Sequence, residues 1–181
     1  MDELQLYVPR LDELWFYQKM LSDPETMSYN APWFPPDGCI PFPASDWAEW
    51  HGRWVGQTPT RFFAYLRRES DGAFVGDVHD YYNAAHGWWD MGILIHAPER
   101  GKGYGNQGLS LLVDHAFRVD EIPCLHNCFE PTRAAAARMH RAAGFRITGE
   151  EDGILQFLLK KEDYENCAAR RSENGKLEST V

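Results

Sequence analysis

Met91-Gly92-Ile93-Leu94-Ile95, followed after His96-Ala97-Pro98-Glu99 by Arg100-Gly101-Lys102-Gly103-Tyr104-Gly105, is the stretch that decides how this chain is read. The apolar run is strand-like, and an amphipathic helical pattern begins near Asn106. Glycines at alternate positions leave successive backbone N–H groups unobstructed by side chains. The helix aims its positive dipole end at the same spot, and Arg100 and Lys102 add two cations. Those are the requirements for gripping a phosphate or pyrophosphate.

Composition narrows the ligand. The chain has 181 residues, 44% of them hydrophobic and 25% charged, which suits one soluble domain with a real core. Its formal net charge of −9 argues against nucleic acid as a partner and suits a cationic substrate such as an amine. No stretch approaches the ~18 apolar residues of a membrane span, and Met1-Asp2-Glu3-Leu4 is no signal peptide. Cys39, Cys124, Cys128 and Cys167 lack a secreted-domain disulfide pattern. A reducing, cytoplasmic setting without membrane contact is expected.

Outward from the glycine loop, the periodicities predict an ordered series of elements. Leu4 to Val8 alternates like a strand, and Leu11 to Leu21 reads as a helix stopped by Ser22-Asp23-Pro24. A loop rich in proline and aromatics runs from Tyr29 to Pro43. Trp47, Trp50 and Trp54 then share one face of a short helix. Arg61 to Arg67, Ala73 to Tyr81 and Trp88 to Ile95 are joined by short turns, which predicts an antiparallel meander. Beyond the loop, Leu109, Leu112, Val113, Ala116 and Phe117 form a helical stripe. Cys124 to Phe129 is a strand. Pro131 opens and Gly144 closes an alanine-rich helix. Phe145 to Thr148 and Ile154 to Lys160 form a last hairpin. The domain is expected to span residues 1–163, with a polar tail over 164–181.

Gly103, Gly105 and Gly108 match a literal G-x-G-x-x-G. A dinucleotide fold would place it directly after the first strand of a βαβ unit. Here His96-Ala97-Pro98-Glu99 intervenes and the preceding strands form a meander. No Gly-Lys-Ser/Thr follows, so a P-loop is not indicated. A glycine-rich turn without a ligand leaves the two cations unexplained.

The fuller pattern, Arg-x-x-Gly-x-Gly after such a strand and before an amphipathic helix, resembles the acyl-CoA-binding motif of the GNAT acyltransferase superfamily. Downstream, Arg138-Met139-His140-Arg141-Ala142-Ala143-Gly144-Phe145 resembles the family's helix ending in Leu-Tyr-x-x-x-Gly-Phe. The opening, with Asp23-Pro24-Glu25-Thr26-Met27 after the first helix, looks like the branch of ribosomal-protein N-terminal acetyltransferases and their small-molecule relatives. The resemblance covers about residues 2–163. It implies an α+β fold with a mixed, mostly antiparallel central sheet of about seven strands, helices on both faces, and a splay between the fourth and fifth strands.

The resemblance also implies a chemistry and residues for it. Ile93, Leu94 and Ile95 would pair with the pantetheine arm, and Arg100, Gly101, Lys102, Gly103, Tyr104 and Gly105 would cradle the pyrophosphate of acetyl-CoA, the cosubstrate. A neutral amine would attack the thioester directly, which needs a base, an oxyanion donor and an acid for the leaving thiolate. Asp90 is the candidate base, with Glu130 in reserve. An ordinary aspartate is a poor base near neutrality, so Asp90 would need burial or a water relay. His140 stands where the family often has the tyrosine acid; a packing residue is the alternative. Arg133 replaces a frequent asparagine and would still reach CoA.

Tyr29, Trp33 and Trp88 are candidate walls for the acceptor, with Asp37, Asp77 and Asp80 suited to an amine. Cys124, His126 and Cys128 alternate on one strand and are poorly spaced for zinc, so no metal is expected. The acceptor is expected to be a small-molecule or peptide amine. A polar tail and an exposed sheet edge are compatible with a homodimer. The competing reading is a CoA-binding module without turnover.

Overall fold

The computed structural model describes residues 2–57 and 59–166. Seven strands form one mixed sheet in the order β1-β2-β3-β4-β5-β7-β6. They are β1 (Leu4–Tyr7), β2 (Arg61–Arg68), β3 (Phe74–Asn83), β4 (Trp88–Ile95), β5 (Cys124–Phe129), β6 (Arg146–Glu151) and β7 (Ile154–Lys160). The α-helices are α1 (Trp15–Leu21), α2 (Pro24–Met27), α3 (Trp47–Trp54), α4 (Tyr104–Arg118) and α5 (Ala134–Ala142). Two compact units divide this sequence. One holds the described residues up to Tyr81 with Gly92–Leu112, the other Tyr82–Met91 with those from Val113 onward.

In the first unit, β1 and β2 pair antiparallel with Leu4 opposite Arg68, and β2 and β3 with Tyr65 opposite Asp77 and Phe63 opposite His79. Opposed residues share a face. Tyr65 and Phe63 therefore meet a core of Leu14, Phe16, Met20, Leu21, Met27, Phe42 and Leu94. The Tyr65 hydroxyl ties the sheet to α1: it accepts from Tyr17 N at 3.2 Å and donates to Glu13 O at 3.2 Å. The opposite face carries the start of α4. A Cβ on Gly108 would lie 2.4 Å from Leu66 Cδ1 and 3.2 Å from Ile93 Cδ1. Gly108 thus serves close helix-on-sheet packing rather than a ligand-binding turn.

In the second unit, β4 and β5 run parallel with Asp90 opposite His126. Strand β5 pairs antiparallel with β7, and β7 with β6. Asp152 and Gly153, at φ 51° and 78°, make the tight β6–β7 turn that left-handed residues favour. Phe129 and Phe157 stack at 4.5 Å beneath α5 residue His140.

Three boundaries differ from the sequence expectation. The helix expected over Leu11 to Leu21 splits at Leu14 into a 3₁₀ turn, Leu11–Glu13, and α1. The Glu13 carboxylate accepts from Arg10 N at 2.8 Å and from the Tyr7 hydroxyl, which tightens that first turn. Helix α4 starts at Tyr104, so Tyr104 and Gly105 belong to its first turn. Pro131 does not open α5, because a turn carries the chain to an N-cap at Arg133. Gly144 closes α5 as expected, at φ 102°. A helical turn over 161–166 takes in the first residues of the expected tail, 164–166, and the Tyr164 hydroxyl donates to Asp114 while its ring packs on Phe117. The remainder lies outside the described residues.

Candidate active site

The glycine loop has the backbone an anion site needs. Gly101 and Gly103 sit at φ 77° and 83°, a region that costs an L side chain roughly 1–2 kcal/mol. A Cβ on Gly101 would meet nothing within 4 Å, so backbone conformation, not crowding, selects glycine there. The first helical bond of α4 is Gln107 N to Gly103 O at 3.3 Å. Among the described residues, the N–H groups of residues 101–106 donate to no acceptor. They span the loop and the first turn of a 15-residue helix whose dipole adds to them.

The loop's side chains divide the work differently from the expectation. Arg100 is a staple: Nε donates to Ile95 O at 3.2 Å, Nη1 to Glu25 O at 3.0 Å and Nη2 to Thr26 O at 2.7 Å. It holds the loop to β4 and α2, which leaves its guanidinium largely committed. Thr26 adds a second tie by accepting from Ala97 N at 2.9 Å. Tyr104 is buried, its hydroxyl bonded to Asp2 and Arg68, so it packs the helix start. Lys102 remains about half exposed and pairs with Glu99 at 2.9 Å. Exposed pairs of this kind contribute little and part readily.

On β4, Ile93 and Leu94 face opposite sides of the sheet, as their packing on α4 and on the α1 core shows. Ile95 gives its carbonyl to Arg100.

The second unit assembles the acids. Asp90 Oδ1 accepts from His126 Nδ1 at 2.6 Å and from Trp88 Nε1 at 3.1 Å, and Oδ2 from Asn83 Nδ2 at 2.7 Å. Burial pushes its pKa up. The bonds from His126 and Asn83, the His126 charge and the Trp88 bond outweigh that, so the pKa falls below the usual aspartate value. Asp90 is a firmly ionised carboxylate, which makes it a weak proton acceptor. Trp88 stacks between His86, at 4.7 Å, and His126, at 4.3 Å. Glu130 follows β5 directly, with Oε2 buried and unbonded among the described residues. Arg133 lies over the Phe129 ring at 5.3 Å.

His140 does not fit the acid role. It is 1% exposed, among Phe129, Phe145 and Phe157. Nδ1 donates to Ala136 O at 2.9 Å, so in the neutral ring Nε2 accepts from Asn127 Nδ2 at 2.9 Å. Burial pushes its pKa down, which fixes it as a neutral core residue. Tyr29 packs half-buried against the α1 core, whereas Trp33 is 54% exposed.

His126 was not foreseen as a partner of Asp90. Its place in Cys124-x-His126-x-Cys128 showed only that these residues share a face. Its two nitrogens are taken by Asp90 and by Gln156 Oε1, at 2.9 Å. Among the described residues, no group of three or more His, Cys, Asp or Glu side chains could hold a metal ion. No described helix is long and apolar enough to cross a membrane.

Comparison with known proteins bears on the fold and the family. No curated protein sequence matches the chain. Among solved structures, the spermidine N-acetyltransferase of Vibrio cholerae, in complex with CoA and spermine, superposes with a TM-score of 0.73 at 17% identity. The match covers 90% of this chain and 98% of that one. A GNAT-family acetyltransferase from Bacillus anthracis gives 0.70 at 13% identity, over 89% of this chain and 96% of that one. At such identities the likeness is one of fold. The acetyltransferase (GNAT) domain family matches residues 4–146, and with an anion-ready glycine loop in front of α4 the chain belongs to the GNAT acetyltransferase family.

Proposed function

We propose that the protein is an acetyl-CoA-dependent N-acetyltransferase that moves an acetyl group to a primary amine by direct attack on the thioester. The observation that carries this reading is the run of uncommitted N–H groups at residues 101–106, in the loop and first turn of α4. Such a nest fits a diphosphate, and Lys102 can leave its half-exposed pair with Glu99 to join it. Acetyl-CoA supplies an activated acyl carbon.

The chain's own residues do the rest. Gly101, Lys102, Gly103, Tyr104 and Gly105 offer backbone N–H groups to the pyrophosphate while Arg100 holds the loop in place. Ile93, Leu94 and Ile95 carry the pantetheine edge, with Arg133 as a further contact. Asp90 places a negative charge beside Trp88, which favours an ammonium group. Glu130 keeps one buried carboxylate oxygen without a partner among the described residues and stands only in reserve as a proton acceptor. A polyamine is a chemically apt acceptor for a chain of net charge −9; the solved relative from Vibrio cholerae is itself a spermidine N-acetyltransferase. A protein N-terminus is the alternative acceptor.

Thiol release from acetyl-CoA with spermidine, simple primary amines and short peptides, alongside calorimetric titration of CoA, tests the reading. CoA binding with amine-dependent thiol release is expected. Binding without release from any amine would leave a CoA-binding module, and absence of CoA binding would refute the reading outright.

A further inference from the structure

We infer that His79 is the general base of acetyl transfer and that Asp77 positions it. The structure holds this imidazole against a buried carboxylate and lays its free edge over the backbone of β4 at Gly92. The inference rests on the acetyltransferase reading above and adds the residue that would take the acceptor's proton.

Asp77, His79 and Tyr81 share the face of β3 that packs under α1 and α3. Asp77 is 1% exposed, and its Oδ1 lies 3.2 Å from His79 Nδ1. Its Oδ2 is buried and unbonded among the described residues. A carboxylate in that position is costly, and such a cost points to function. The imidazole is locked in orientation: Phe63 stacks on it at 6.2 Å and Trp54 meets it edge-on at 5.6 Å.

Gly92 supplies a second, independent observation. A Cβ there would lie 2.4 Å from both Cε1 and Nε2 of His79. Only glycine lets the outer edge of the ring rest on β4, one residue before the Ile93-Leu94-Ile95 segment. Nε2 itself makes no hydrogen bond among the described residues.

Competing histidines lack this opening. His126 has both nitrogens bonded, and so has the buried His140. His79 has one nitrogen held by an acid, the other open, and 26% of its side chain exposed. That is the arrangement of an oriented base. Nε2 takes a proton from the acceptor ammonium. The freed amine lone pair forms the C–N bond as the C–S bond breaks. The nitrogen's second proton goes to the departing thiolate, and His79 returns its proton to solvent.

The groups facing the pair leave this assignment readable by pH. Burial, and with it the charge of Asp77, raises the pKa values of Tyr17 on α1 and Tyr65 on β2, so both phenols stay neutral. Tyr29 reaches the same cluster through Tyr17. Arg61 lies over the Trp54 ring at 4.7 Å.

The test compares wild type, His79→Gln and Asp77→Asn with the best amine of the panel. His79→Gln is expected to lower kcat about 10²–10⁴-fold and to erase the acid limb of the pH profile. CoA affinity should remain within about twofold of wild type, which also reports that the fold persists. Asp77→Asn should shift that limb and lower kcat less. In parallel, ¹⁵N NMR of the wild-type imidazole should show the proton on Nδ1 and an unprotonated Nε2 above its titration. Wild-type turnover in His79→Gln, or a ring carrying its proton on Nε2, overturns the inference alone. Failure of wild type to turn over any amine overturns the acetyltransferase reading and the inference with it. Should His79→Gln lose CoA binding too, the tautomer in wild type decides.

Discussion

Replacing Gly92 by alanine tests the geometry at β4 most sharply, because the added methyl has a known place to go. It would sit 2.4 Å from Cε1 and Nε2 of His79 and 3.2 Å from Nδ1. Carbon atoms prefer about 3.5–4.0 Å, so the ring must retreat by roughly 1 Å or more. Phe63 and Trp54 stand against it, and overpacking of this kind costs about 1–3 kcal/mol. For a chain of this length each kcal/mol moves Tm by about 2–4 °C. A fall of about 2–12 °C by calorimetry is therefore expected. Displacing a reacting group by about 1 Å costs on the order of 10²-fold in turnover, so kcat should fall that far while CoA affinity holds. The clash has one partner, which makes it checkable by a cycle: in a His79→Ala background the alanine should cost almost nothing in stability. If Gly92→Ala destabilises both backgrounds equally, or leaves kcat untouched, the placement of His79 over β4 is wrong.

The other expectations concern the loop and the buried titrating groups. Arg100→Ala removes three bonds to backbone carbonyls and should raise the KM for acetyl-CoA roughly tenfold, with kcat nearly unchanged, in steady-state assays. Gly101→Val forces an L residue to φ 77°. CoA binding by calorimetry should weaken about tenfold, with a stability loss of about 1–2 kcal/mol in urea. His140 has a folded pKa depressed by burial, so its contribution is present above the unfolded value of about 6.5 and is lost as pH falls below it. His140→Phe should flatten that acid loss and cost about 1–3 kcal/mol at neutral pH, while the pH profile of kcat stays as in wild type. Asp77 is the opposite case: burial raises its pKa, opposed by His79. Its favourable contribution exists at low pH and is lost as pH rises through the folded value. Asp77→Asn should therefore gain about 1 kcal/mol at neutral pH in denaturant melts, even as activity falls.

What the sequence determined by itself was local or periodic. Strands β2 to β5, the amphipathic stripe of α4 and the closure of α5 at Gly144 follow from spacing and from turn residues that act over a few positions. The glycine loop was legible for the same reason, since positive φ and a helix start are local demands of the backbone.

Tertiary structure decided which side chains are free to act. Arg100 looked like a phosphate ligand until the carbonyls of Glu25 and Thr26 took its guanidinium. His140 matched a motif position but lies sealed among Phe129, Phe145 and Phe157. Asp90 gained three donors from Asn83, Trp88 and His126, and with them a lowered pKa. His79 acquired its place from Phe63 across the sheet and from the missing side chain at Gly92. Hydrogen-bond commitment and desolvation depend on neighbours remote in sequence, so no spacing rule within one segment could reveal them.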